Sequence, residues 1–347
     1  MSLERRTLLG FAVAGAGTSL TSLAHAGGKS GLGSGPPSPQ GTSRAGSEAP
    51  ADPSETLRLW PGIAPGGEQV SVTAVVIERS TDPAYRDRFA QYTTEPIMTV
   101  FRPRSLGVQP NGSALLLIPG GGYRLSVLDK EGFDVARIFA ATGTTCFVLR
   151  YRLPADGWTA GPDAPLQDAQ RALRLIRAKA GEYGVHPDRV GVLGASAGGH
   201  LAGLVSARVD ETYAAFDAAD GERFRPDFSL LMYPVVTMRD PHTHEGSRRM
   251  LLGEAPDEAR LAAYSLEERD WTGAGPVWMI HAMDDGGVPV ENTLKLLTRL
   301  RADGVRSEAH LFQEGGHGFG IRLIADRPGE VWPELARAWA ARAGWAL

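Results

Sequence analysis

The sequence predicts an α/β fold with a mainly parallel central sheet covered by helices on both faces. Three observations carry this prediction. Apolar runs such as 114–118 and 228–233 show no alternation, as strands buried on both faces require. Segments of helical periodicity separate these runs, and strands joined through helices run parallel. The chemically suggestive residues fall just after strands, at 120–122, 196, 284–285 and 315–320, where open α/β sheets bind ligands.

Composition sets the outer bounds. The 347 residues are 42% hydrophobic and 22% charged, a globular balance that allows one large core or two small ones. A formal net charge of −4 gives no electrostatic basis for binding nucleic acid. The single cysteine, Cys146, lies in the apolar run 145–149 and reads as a buried core thiol.

The N-terminus reads as an export signal over 1–26. Arg5-Arg6 precede a modestly apolar stretch at 8–23, and Ala24-His25-Ala26 offers a small-x-small cleavage site. The paired arginines resemble a twin-arginine signal, which implies a periplasmic or secreted protein that folds before export. Gly, Thr and Ser interrupt the apolar part, which argues against a retained membrane helix. Residues 27–55 are rich in Gly, Ser and Pro and have too little apolar surface to offset their ordering entropy, so they read as a flexible linker. The folded domain is expected over 56–347.

Within that domain the elements follow in order. Residues 70–76 and 97–101 read as early strands from β-branched content and alternation. The run 114–118 is a buried strand that ends at Pro119-Gly120-Gly121-Gly122. Phe133, Ala136, Phe139 and Ala140 mark a helix stopped near Gly143, and 144–150 is the next strand. Leu166, Ala169, Leu173, Ile176 and Ala180 form one helical face over 166–183, ended by Gly184. The strand 189–193 leads into Gly194-Ala195-Ser196-Ala197-Gly198, with a helix continuing through Leu201, Leu204 and Val205. Strands are expected at 228–233, 277–281 and 309–312, and helices around Leu294–Leu300 and over 332–345. Between 240 and 269 the pattern weakens into short helical pieces, read as an insertion or partial lid.

Gly-x-Ser-x-Gly between a strand and a helix suits a serine pushed out of the sheet on a strained turn, where its hydroxyl can attack a substrate. A serine nucleophile needs a base, and the base needs an orienting carboxylate. His317, flanked by glycines after the last strand, is the favoured base among 8 histidines. His200, a turn into the helix after Ser196, reads as packing or supporting the site. His242 and His244 form an H-x-H without evident further ligands, so no metal site is expected. The acid is Asp284 or Asp285, one of which could instead cap the helix that follows Val288-Pro289. Gly120, Gly121 and Gly122 offer backbone N–H groups for a developing oxyanion, and Ala197 offers another. A phosphate loop is disfavoured because Tyr123-Arg124 follows rather than Lys-Ser/Thr.

With these motifs in place, the chain resembles the α/β-hydrolase fold and, within it, the acetyl esterase/lipase-like group often labelled acetylxylan esterase, feruloyl-esterase-like or xylanase-associated. The resemblance rests on residues 59–66 (Leu-Trp-Pro-Gly-Ile-Ala-Pro-Gly), 119–123, 151–154 (Tyr-Arg-Leu-Pro), 165–172 and 194–200. It continues through Asp284-Asp285 with Val288-Pro289, and 315–319. It implies Ser196 as nucleophile, His317 as base and Asp285 as acid. Pro119 stands where related enzymes carry His before the glycines, which leaves the oxyanion hole to Gly120, Gly121 and Ala197.

The implied activity is that of a serine carboxylic ester hydrolase that deacetylates plant polysaccharides or oligosaccharides through an acyl-enzyme, with no metal or organic cofactor. A feruloyl esterase would differ in its acyl pocket. A serine peptidase of the prolyl-oligopeptidase type would need a propeller for which the chain lacks room. A non-catalytic carbohydrate-binding protein would have no use for the full constellation. Glycoside hydrolysis would need two facing carboxylates.

Overall fold

The computed structural model describes residues 49–347. The export signal expected over 1–26 and most of the linker expected over 27–55 lie outside the described residues. Eleven strands occur among the described residues: β1 (Thr56–Arg58), β2 (Val75–Glu78), β3 (Arg88–Gln91), β4 (Ile97–Phe101), β5 (Gly112–Ile118), β6 (Ser126–Val127), β7 (Thr145–Arg150), β8 (Val185–Ala195), β9 (Ser229–Met232), β10 (Val277–Ala282) and β11 (Ser307–Phe312). Eight of them form one sheet in the order β1-β4-β7-β5-β8-β9-β10-β11. The pairs from β7 through β11 are parallel, and β1 and β4 join antiparallel at one edge.

The period-two alternation of β5 shows how the sequence builds the layers. Leu116 and Ile118 point into a core shared with α2 (Ala164–Ala178), α4 (Ala197–Ala207) and α7 (Glu291–Ala302). Leu115 and Leu117 point the other way, into a core shared with α1 (Asp134–Ala140) and α8 (Trp332–Arg342). Cys146 belongs to this second core, where burial pushes its thiol pKa up. The helix expected over 166–183 divides at Lys179 into α2 and the short α3 (Ala180–Tyr183). The weak stretch at 240–269 holds α5 (Glu245–Leu252) and α6 (Glu258–Tyr264), in keeping with short helical pieces.

The early part departs from expectation. The strand expected over 70–76 begins only at Val75, and it lies outside the main sheet. It pairs with β3, and β3 with β6, in a separate three-stranded sheet. β1, β3 and β6 have only three, four and two residues, too short to carry a period. Ordered chain also starts before Thr56. Asp52 pairs with Arg88 at 2.6 Å, and Glu55 pairs with Arg102 at 2.6 Å. Carboxylates rather than apolar side chains anchor this stretch, so its composition gave no sign of it.

Three of the sequence motifs meet in a buried polar cluster around Asp168. Trp60 Nε1 donates to Asp168 Oδ1 at 2.8 Å, and the Arg152 backbone N–H donates to Asp168 Oδ2 at 2.8 Å. The Arg152 guanidinium also pairs with Asp168 at 2.9 Å, and both side chains are fully buried. Arg152 spends its remaining donors on the Pro65 and Ala164 carbonyls and on Gln167. A buried pair is tolerated when its remaining hydrogen-bonding groups are satisfied in this way.

Candidate active site

Ser196 sits between the end of β8 and the start of α4 with φ 54° and ψ −121°, a conformation that costs roughly 1–3 kcal/mol for a residue with a Cβ. Backbone bonds to β9, to the segment after it and to α4 hold it there. Its N–H donates to the Met232 carbonyl at 3.0 Å, and its own carbonyl accepts the N–H groups of Val235 and His200 at 3.1 Å. Gly198 is required by close approach, because a Cβ there would overlap the carbonyl oxygens of Ile118 and Pro119. The serine hydroxyl is thereby fixed above the carboxyl ends of the strands.

His317 reaches it from the loop after β11. Gly316 and Gly318 on either side have φ of +65° and +68°, a left-handed conformation that glycine adopts freely. His317 Nε2 lies 2.8 Å from Ser196 Oγ, and His317 Nδ1 lies 2.7 Å from Asp285 Oδ2. An imidazole held in this way, with its Nδ1–H on a carboxylate, can take a proton from the hydroxyl at Nε2.

Asp284 and Asp285, alternatives on spacing alone, do different things. Buried Asp285 orients His317, and its Oδ1 accepts the N–H groups of Gly287 and Val288 at 2.8 Å each. Exposed Asp284 accepts the Gly316 N–H at 2.8 Å and so fixes the loop carrying the histidine. Burial by itself would raise the Asp285 pKa. Hydrogen bonds from His281 and His317, the charge of His317 and the Val288 amide outweigh it and hold the carboxyl well below its ordinary range.

The expected oxyanion donors divide. The Gly121 and Ala197 N–H groups have no acceptor among the described residues, and Gly121 and Ser196 line the same cavity. Gly120 has to be withdrawn from the set. Its N–H already donates to Glu131 Oε2 at 2.9 Å, so it is not free for a ligand. Glu131 was not visible in the sequence as a site residue. Its Oε1 accepts the Tyr233 hydroxyl at 3.1 Å, and the Tyr233 oxygen accepts the Gly320 N–H at 3.1 Å. The Tyr233 ring also packs edge-on against His317, with centroids 5.1 Å apart. This buried chain links the glycine turn to the histidine loop.

His200 is a second link. Fully buried, it takes the Tyr123 hydroxyl at Nδ1 over 2.7 Å and donates from Nε2 to the Tyr264 carbonyl over 2.6 Å. Burial lowers its pKa to about 4, so it is neutral near pH 7. It thus ties the residue after the glycine turn to the lid-like segment, in keeping with a supporting role. His244, noticed in the sequence only as half of an H-x-H pair, caps α5 and lines the cavity beside Ser196. Burial and the nearby His317 lower its pKa.

The cavity above Ser196 and His317 has a volume of about 430 Å³. It is large enough for an ester of a small acid and part of its alcohol.

Comparisons with known proteins agree with this architecture. The chain is 31% identical over 228 residues to an acetylxylan esterase of Xylanibacter ruminicola, covering 65% of this chain and 44% of that one. It is 32% identical over 207 residues to endo-1,4-beta-xylanase B of Butyrivibrio fibrisolvens, covering 60% of this chain and 32% of that one. The chain therefore spans less than half the length of either relative. The solved structure of an acetyl ester-xyloside bifunctional hydrolase from Caldicellulosiruptor lactoaceticus matches with a TM-score of 0.66 at 29% identity, over 85% of this chain and 98% of that one. Residues 115–321, more than half of the chain, match the family described as alpha/beta hydrolase fold, and the chain belongs to that family.

Proposed function

We propose that this protein is a serine carboxylic ester hydrolase that removes acetyl groups from plant polysaccharides or their fragments. The observation that carries the reading is the unbroken hydrogen-bond chain from Ser196 Oγ through His317 to Asp285, at 2.8 and 2.7 Å. Ser196 Oγ attacks the ester carbonyl while His317 Nε2 takes its proton. The N–H groups of Gly121 and Ala197 stabilise the oxyanion. His317 then gives the proton to the departing sugar hydroxyl, leaving an acyl-serine. Water, deprotonated by His317, attacks that ester and releases the acid and the free serine. No step calls for a metal or an organic cofactor.

The choice of acetyl and of a xylan-type alcohol is supported by the names of the relatives, an acetylxylan esterase and an acetyl ester-xyloside hydrolase. The xylanase name of another relative is not carried over, because the chain covers 32% of it and the Ser-His-Asp chemistry does not cleave glycosides. The N-terminal reading adds export to the periplasm or medium. The test is release of acetate from acetylated xylo-oligosaccharides, compared with release of ferulate from feruloylated ones and with cleavage of a peptide. Ser196→Ala should lower the acetate rate by about 10⁴-fold or more. Ferulate release alone would move the acyl assignment, and peptide cleavage alone would overturn the esterase reading.

A further inference from the structure

The chain carries a formal net charge of −4, yet the cavity over Ser196 is lined by Arg79, Arg124, Lys130 and Arg249 against one carboxylate, Glu131. The four cations come from separate places: the end of β2, the segment after the glycine turn, the turn Asp129–Phe133, and α5. Their convergence is a product of the fold and not of a basic run in the sequence. The one carboxylate is buried and already holds the Gly120 N–H and the Tyr233 hydroxyl. Arg79 is paired with Asp87 at 2.6 Å, and Arg249 faces Glu254 at 3.8 Å. Arg124 and Lys130 form no ion pair among the described residues. Lys130 Nζ sits beside Gly318, where an added Cβ would meet it at 3.3 Å, next to His317. A cleft with an excess of one sign of charge focuses its field and concentrates ligands of the opposite sign.

We propose that this opening selects esters that carry a carboxylate close to the scissile bond, with Arg124 and Lys130 as its principal partners. The inference rests on the reading of Ser196 as an esterase nucleophile and names the substrate class that nucleophile meets. The carboxylate could belong to the alcohol part, as in a uronate-bearing oligosaccharide, or to the acyl part, as in the half-ester of a dicarboxylic acid.

Two matched pairs of substrates test it and separate the sources. One pair is acetylated xylo-oligosaccharides with and without a uronic acid substituent. The other is 4-nitrophenyl hemisuccinate and 4-nitrophenyl butyrate. In at least one pair, kcat/KM of the full-length wild-type protein should favour the anionic member by roughly tenfold at low ionic strength. That advantage should fade between about 20 mM and about 500 mM NaCl, as screening shortens the reach of the cations. In the double variant Arg124→Glu, Lys130→Glu the ratio within the pair should invert, whereas a merely structural loss would lower both members together. No anionic preference in either pair overturns the proposal, as does a preference that neither salt nor charge reversal alters. Failure to cleave any of the four esters would overturn the esterase reading itself, and this proposal with it.

Discussion

The carboxylate of Glu131 holds the backbone N–H of Gly120 at 2.9 Å, and in doing so removes that amide from the donors open to a ligand. The same carboxylate takes the Tyr233 hydroxyl, so one buried side chain braces the glycine turn against the histidine loop. Glu131→Ala should cost about 1–3 kcal/mol for each buried donor left unpaired. Glu131→Gln should recover part of this, because its amide oxygen can still accept one of the two. Urea denaturation of both variants, alongside kcat on a neutral aryl acetate, checks the ordering. Wild-type stability and kcat in both variants would remove Glu131 from this role.

Asp284 and Asp285 should separate kinetically. Asp285→Asn disturbs the orientation and tautomer of His317 and should lower kcat by about 10⁴-fold. Asp284→Ala removes a single acceptor from the Gly316 N–H and should lower kcat by no more than about tenfold. Steady-state kinetics on one aryl acetate decides between them, and equal losses would contradict the division of labour.

Acid stability should also report on Asp285. Its carboxyl titrates well below the ordinary 3.8 in the folded protein, so the unfolded chain binds the proton first as pH falls. The stability it contributes is full above about pH 3.8 and is lost as pH falls further toward the folded-state pKa. Denaturant midpoints of wild type and Asp285→Asn should differ by a constant amount above that pH and converge below it.

His200 sets a second pH window. Its folded-state pKa of about 4 lies below the ordinary 6.5, so between these values the unfolded chain binds the extra proton. The stability gained by keeping it neutral is complete above pH 6.5 and is lost as pH falls toward 4, at up to about 1.4 kcal/mol per pH unit. His200→Asn should flatten the fall in thermal midpoint across this range. An undiminished slope in the variant would place its origin elsewhere.

The Arg152–Asp168 pair makes no hydrogen bond to Ser196, His317 or Asp285 and should matter for stability rather than chemistry. Asp168→Ala leaves an unpaired guanidinium in a fully buried place and should cost about 3–5 kcal/mol. The variant that does fold should keep a kcat near wild type, measured well below its unfolding temperature. A large loss of kcat with unchanged stability would contradict a structural role for the 59–66, 151–154 and 165–172 motifs.

The layered α/β architecture was legible in the residue pattern, because buried parallel strands and amphipathic helices leave periodic marks in a single chain. The same strand-end pattern marked 196, 284–285 and 317 as places where a nucleophile, an acid and a base could act, since each lies just after a strand in a glycine-rich or acidic turn. Strands of two to four residues, such as Ser126–Val127 and Arg88–Gln91, are too short to leave such marks. How Asp284 and Asp285 divide their work emerges only on folding, because hydrogen bonds between residues 32 apart depend on how two loops meet. The packed structure also shows that Gly120 is occupied by Glu131, since a buried carboxylate in an irregular turn looks in sequence like any surface acid. The same packing gathers Arg79, Arg124, Lys130 and Arg249 around one opening. Local pattern is written in neighbouring residues, whereas charge convergence and donor occupancy arise only when distant segments are packed against each other.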